Sequence, residues 1–211
     1  MKRYQLKVCG NKHINNLMQL ATLHVDYVGY IFYDQSPRRV ENNLLFSIFP
    51  NANKVGVFVN DSLSNMVEKV QQYHFDVVQL HGDEPLELIA QLRKALPNTE
   101  IWRAISVGDV TDFEDLEKYQ PLIDAFLFDT KTKLYGGSGK QFDWQLLQNY
   151  TLDTPFFLSG GLHPTDTQKL LEIQHPQLLG FDINSGFETA IGVKDIDAIA
   201  TFQQKINQPK L

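Results

Sequence analysis

A single cysteine, Cys9, stands in a chain of 211 residues, so no disulfide can close within it and stability has to come from the apolar core. Long apolar runs are missing too. No stretch approaches the roughly 18 residues that a membrane span needs, and Met1-Lys2-Arg3-Tyr4-Gln5 leads into a strand-like segment without the apolar centre of a signal peptide. A cytoplasmic protein with no membrane partner is expected. Positive charge is not in excess: 19 Lys and Arg against 25 Asp and Glu leave a formal charge of −6, and the basic residues are scattered, which excludes broad nucleic-acid binding. His, Cys and Asp are not spaced as metal ligands. No composition shift, low-complexity tract or long linker divides the chain, so one domain over residues 1–211 is expected. A monomer is the expected state.

What is present is a repeated alternation. Short β-branched or aromatic runs occur at Tyr4–Val8, Tyr27–Phe32, Val55–Val59, Val77–Leu80, Ile101–Ile105, Ala125–Phe128, Phe156–Leu158 and Leu178–Ile183. Segments with helical spacing lie between them, such as Ile14, Leu17, Met18 and Ala21 after the first run and Leu63, Met66, Val67 and Val70 after the third. The runs are nearly continuous rather than alternating, as in parallel strands covered on both faces. Eight such units in about 200 residues match a small (β/α)₈ barrel, a TIM barrel, whose site lies at the C-terminal ends of its strands. An open doubly wound sheet is the alternative.

Polar residues cluster where a barrel would need them. Cys9-Gly10 ends the first run, Ser36-Pro37-Arg38-Arg39 follows the second, His81-Gly82 the fourth and Asp129-Thr130 the sixth. Ser159-Gly160-Gly161 follows the seventh, while Asp182 lies in the eighth and Asn184-Ser185-Gly186 follow it. Gly160, Gly161, Asn184, Ser185 and Gly186 fall in the two loops where barrels hold phosphate on main-chain N–H groups; the alternative is that these glycines only make tight turns. Cys9 is either a packed thiol or, in electropositive surroundings, a base able to ionise near neutral pH. Asp129, at the end of an apolar run, is either a proton donor or a cap for the following segment. One guanidinium of the Arg38-Arg39 pair suits a planar carboxylate, unless both are solvated. His81 reads as a ligand, a base or a satisfied strand-end histidine.

Taken in order, several segments resemble phosphoribosylanthranilate isomerases: Lys7-Val8-Cys9-Gly10, Phe32 to Arg38, Val55-Gly56-Val57-Phe58, Val78-Gln79-Leu80-His81-Gly82 and Phe128-Asp129-Thr130. The likeness continues in Gly136-Gly137-Ser138-Gly139-Lys140, Phe142-Asp143-Trp144, Leu158-Ser159-Gly160-Gly161-Leu162 and Asp182-Ile183-Asn184-Ser185-Gly186. The resemblance implies a barrel enzyme of tryptophan biosynthesis that performs an Amadori rearrangement of a small phosphorylated substrate without a cofactor. It implies that Asp129 protonates the ring oxygen, that Cys9 removes the C2 proton and that Arg38 holds the anthranilate carboxylate. Asp182 would be a supporting substrate contact. His81 and Arg103 match family positions with no chemical step attached. One departure is Asn184-Ser185 where the family commonly has two hydroxyl residues, which bears on a side-chain phosphate contact but not on main-chain ones. The rival readings are a histidine-pathway isomerase, which would carry an Asp in place of Cys9, and a noncatalytic phosphate-binding barrel.

Overall fold

The apolar runs become eight strands: β1 (Gln5–Val8), β2 (Tyr27–Ile31), β3 (Asn53–Phe58), β4 (Val77–Leu80), β5 (Glu100–Val107), β6 (Ala125–Thr130), β7 (Phe156–Leu158) and β8 (Leu178–Ile183). Each pairs in parallel with the next, and β1 pairs with β8, so the sheet closes on itself and the open-sheet alternative falls. The structure, a computed structural model, describes residues 3–41, 48, 52–108, 113–130 and 141–208. The Gly136–Lys140 segment of the resemblance lies outside the described residues.

Alternate strand residues point to opposite faces, and two apolar layers result. Inside the barrel, Tyr27, Trp102 and Phe157 meet ring to ring at 4.6 to 5.6 Å, with Val55, Val77, Ala104, Ala125 and Leu127 filling around them. Outside, Val28, Phe58, Val78, Phe126 and Phe181 belong to the core they share with the surrounding helices α1 (Ile14–Leu20), α2 (Leu63–Tyr73), α3 (Leu86–Ala95), α4 (Thr167–Glu172) and α5 (Ile196–Ile206). Burial on both faces is what the continuous runs require.

The helical layer departs from the expected pattern in two ways. Met18 and Ala21 do not face the core: α1 buries Leu17 and Leu20, while Met18 is 58% exposed. The helix is turned toward Asn16, whose amide exchanges two hydrogen bonds with the main chain of Lys194, donating at 2.9 Å and accepting at 2.6 Å. After β5 and β6 the described coverings are 3₁₀ helices, Glu114–Tyr119 and Trp144–Asn149. Their inward residues recur at every third position, Phe113, Leu116 and Tyr119, then Trp144, Leu147 and Tyr150. That period of 3.0 matches the 3₁₀ turn rather than the α-helix.

At the opposite end from the strand C-termini, three aspartates repeat one device. Asp26, Asp76 and Asp124 each precede an even-numbered strand and accept the N–H of Leu6, Lys54 and Ile101 at 2.9, 2.7 and 2.7 Å. A strand start on one chain segment is thereby tied to its neighbour. After β8 the chain makes a short antiparallel hairpin, β9 (Glu188–Ala190) and β10 (Val193–Lys194), before α5.

Candidate active site

The strand C-termini enclose one cavity. It is lined by Cys9, His81, Asp129, Gly160, Gly161, Asp182, Asn184, Ser185 and Gly186, whereas Arg38, Arg39 and Arg103 are not among its lining residues. Cys9 follows β1, and its N–H still donates to the Ile183 carbonyl at 2.9 Å, which keeps its side chain in the inward register. Room for the thiol comes from Gly29 of β2, where a Cβ would lie 2.7 Å from Cys9 Sγ.

Two residues before Cys9, on the same strand face, Lys7 is fully buried. It stands opposite Asp182 in the β1–β8 register and donates to Asp182 Oδ2 at 2.9 Å. Burial alone would strip Lys7 of its proton, but Asp182 and Cys9 outweigh it and keep the ammonium above lysine's ordinary range. Burial pushes the Asp182 carboxyl up, with Lys7 pulling part of the way back. Burial also pushes the Cys9 thiol up; Lys7 and Lys194 draw it down in part, and Asp182 adds to the rise. Burial thus outweighs the positive surroundings that two lysines supply.

Asp129 is not the last residue of its strand, because pairing with β5 extends through Thr130. Its Oδ1 accepts the Thr130 N–H at 2.7 Å, and its Oδ2 lies 3.3 Å from His81 Nε2. The other ring nitrogen of His81 is 2.9 Å from Gln79 Nε2. A donor–acceptor chain thus runs across the mouth from β4 to β6.

Arg38 and Arg39 part company. Arg39 pairs with Asp34 at the surface. Arg38 turns in against Gly10, where a Cβ would lie 2.9 Å from Arg38 Cδ, and is gripped by Glu188 through Nε (2.9 and 3.0 Å) and Nη2 (2.7 Å). Glu188 in turn accepts from the buried Lys194 at 2.7 Å, and Lys194 donates to Asn184 Oδ1 at 2.8 Å. Burial opposes charge on Glu188, but its bond to Arg38 and the nearby Lys194 hold its carboxyl below the usual range. The Asn184 oxygen is therefore committed to Lys194, which is where the Asn-Ser departure finds its use.

Gly160 and Gly161 both adopt positive φ, +84° and +65°. A Cβ at Gly160 would sit 2.4 Å from the Thr130 main-chain nitrogen, so only glycine lets the β7 loop press against β6. Gly186 similarly backs onto the Leu162 carbonyl, bringing the β7 and β8 loops together. Ser185–Phe187 form one 3₁₀ turn, whose first N–H groups have no acceptor within it.

Arg103 lies on the outer face of β5, with its guanidinium over the Tyr119 ring. It donates to the Gly82 carbonyl at 2.7 Å and pairs with the buried Glu84. Glu84 also accepts the N–H groups of Asn60 and Gly82. Arg103 therefore braces the loop after His81 and does not enter the cavity.

The sequence matches the family described as N-(5'phosphoribosyl)anthranilate (PRA) isomerase over residues 6–205. The chain belongs to this family. Its relative from Parabacteroides distasonis, an N-(5'-phosphoribosyl)anthranilate isomerase, is 40% identical over 209 residues, covering 97% of this chain and 94% of that one. Among solved structures, the phosphoribosyl anthranilate isomerase from Thermotoga maritima is 31% identical with a TM-score of 0.80, over 96% of this chain and 98% of that one. A further phosphoribosyl anthranilate isomerase, solved in complex with reduced 1-(o-carboxyphenylamino)-1-deoxyribulose 5-phosphate, is 26% identical with a TM-score of 0.77, again over 96% and 98%. The isomerase fold and activity of the family are thus those of this chain, and the histidine-pathway and noncatalytic readings fall away.

Residue-by-residue reading overlooked Lys7, Gln79, Glu188 and Lys194. Lys7 carried a signal: a charge inside a strand buried on both faces needs a counter-charge, and Asp182 sits equally out of place in the last strand. In a closed barrel those two strands are neighbours.

Proposed function

We propose that this isomerase converts N-(5-phosphoribosyl)anthranilate to 1-(2-carboxyphenylamino)-1-deoxyribulose 5-phosphate with Asp129 as general acid and Cys9 as general base. The reading is carried by the entry of Cys9 and Asp129 into one cavity from β1 and β6, with the two glycine loops on its rim. Asp129 protonates the ring oxygen as the C1–O bond breaks, and the anilino nitrogen lone pair forms the C1=N bond. Cys9, as thiolate, then takes the C2 proton, and the electron pair it leaves moves toward nitrogen; the enolamine that results becomes the ketone by losing its O2 proton and gaining one at C1. His81 and Asp182 contact the sugar hydroxyls, and Arg38 receives the anthranilate carboxylate on the edge that Glu188 leaves open. The phosphate rests on main-chain N–H groups of Gly160, Gly161, Asn184, Ser185 and Gly186, assisted by the absence of side chains at the glycines.

The enzyme acts as a cytoplasmic, single-domain monomer. In support of this, Met18 and Ile191 are the large hydrophobic side chains that stand exposed among the described residues, too few for an obligate interface. Sedimentation at micromolar concentration tests it, and a dimer mass would overturn it.

The residue roles are tested by following the loss of anthranilate fluorescence from freshly made substrate. Cys9→Ala lowers kcat by at least about 10²-fold, and Asp129→Asn does the same while binding of a reduced product analogue survives. A folded Cys9→Ala enzyme that keeps more than about a tenth of wild-type kcat removes Cys9 as the base, because that loss is under about 1.4 kcal/mol.

A further inference from the structure

We infer that Lys7 is a positioning residue of the isomerisation, the counter-cation of the Cys9 thiolate, with Asp182 fixing its ammonium beneath the base. The inference rests on Cys9 being that base.

The placement is specific. Lys7 and Cys9 are two residues apart on the inward face of β1, and the fully buried ammonium bonds Asp182 across the β1–β8 seam at 2.9 Å. A fully buried lysine is costly, and a pair kept only for stability would satisfy every polar atom around it. This one does not: Asp182 lines the cavity, and its buried Oδ1 has no hydrogen-bond partner among the described residues. The pair is therefore held open toward the site.

The charges that face Cys9 are Lys7 from its own strand, Asp182 from β8 and Lys194 from β10, while Asp129 and His81 lie across the mouth near Asp182. Lys194 is bound to Glu188 and Asn184 on the β9–β10 side, whereas Lys7 shares the strand face of Cys9 and draws the thiol down more strongly. With Lys7 present, ionisation of Cys9 takes the Lys7–Asp182–Cys9 group from neutral to a single negative charge. Without Lys7, it would place a second anion beside Asp182 in a buried site, and the thiol would hold its proton more tightly.

Because Cys9 is the chain's one cysteine, its ionisation can be read directly. The rate of iodoacetamide alkylation is measured against pH for the whole enzyme and for Lys7→Met, Lys7→Arg and Asp182→Asn. Lys7→Met should move the alkylation midpoint up by at least about one pH unit and lower kcat/KM near neutral pH at least tenfold, since one unit is a tenfold change in thiolate. Lys7→Arg should recover part of both. Asp182→Asn should move the midpoint the opposite way, downward, which a merely structural role for the pair would not produce. If Lys7→Met does not fold, Asp182→Asn and Lys7→Arg carry the test. An unmoved midpoint in folded Lys7→Met, or an unmoved or raised one in Asp182→Asn, overturns the inference. Retention of activity in Cys9→Ala would instead overturn the base assignment beneath it, because the alkylation midpoint does not depend on turnover.

Discussion

Arg38 has two of its three guanidinium nitrogens on Glu188, so it meets a ligand as a fork that is already set. A preset fork loses little side-chain freedom on binding, and its contribution falls mainly on ground-state affinity. Arg38→Ala should raise KM by tens-fold with a smaller change in kcat, as expected for a charge-assisted bond of roughly 1.5–3 kcal/mol. Steady-state kinetics checks this, and an unchanged KM would move the carboxylate contact elsewhere. At this scale the sequence was legible where a residue had to fall at the C-terminal end of a strand. Cys9, Asp129 and the glycine pair lie at the mouth as their strand-end positions required. The arginine pair could be resolved only by coordinates, because what separates Arg38 from Arg39 is a glutamate 150 positions away. Lys194 has its partners only 6 and 10 positions away, but it took the β9–β10 hairpin, which no sequence pattern marked, to turn it toward them.

Strand positions were legible at the scale of elements because burial on both faces forces continuous apolar runs, and three of the eight, β4, β7 and β8, have the bounds the runs themselves suggest. The two segments with threefold spacing leave no mark on a pattern of period 3.6. The aspartates before β2, β4 and β6 were visible as residues and silent as a pattern, since their N–H partners lie about 20 positions upstream on the preceding strand. They lie at the end of the barrel away from the cavity, so they should affect stability and leave chemistry alone. Asp76→Ala should cost about 0.5–1.5 kcal/mol for the lost Lys54 N–H bond, roughly 2–4 °C of Tm per kcal/mol in a chain of this size, with kcat unchanged. Thermal denaturation alongside the fluorescence assay separates the two; a fall in kcat without a fall in Tm would contradict the assignment.

For the whole molecule, the decisive contact is the seam where β8 meets β1. Gly180 stands opposite Gln5 there, and a Cβ on it would fall 1.9 Å from the Gln5 carbonyl oxygen. Main chain cannot step aside as a flexible side chain can, so Gly180→Ala should destabilise by at least about 1–3 kcal/mol, the usual cost of overpacking. Chemical denaturation should show a lower midpoint, and an unchanged one would mean that the seam can shift without loss. Closure also explains why Lys7 and Asp182 meet although 175 positions separate them.

The covering of the barrel is uneven around its circumference, and that asymmetry has a consequence in time. Beside β3 and β4 stand the α-helices Leu63–Tyr73 and Leu86–Ala95, each a cooperative run of main-chain bonds. Beside β5 and β6 the short 3₁₀ turns make fewer and weaker ones. Local opening follows the weakest cooperative unit, so amides of residues 114–119 and 144–149 should exchange with deuterium well before those of residues 66–73 and 89–95. The barrel then has a slow side and a fast side. Asp129 is mounted on the fast side, while Cys9 follows β1, three strands further round the barrel, so early exchange would fall beside the acid rather than the base.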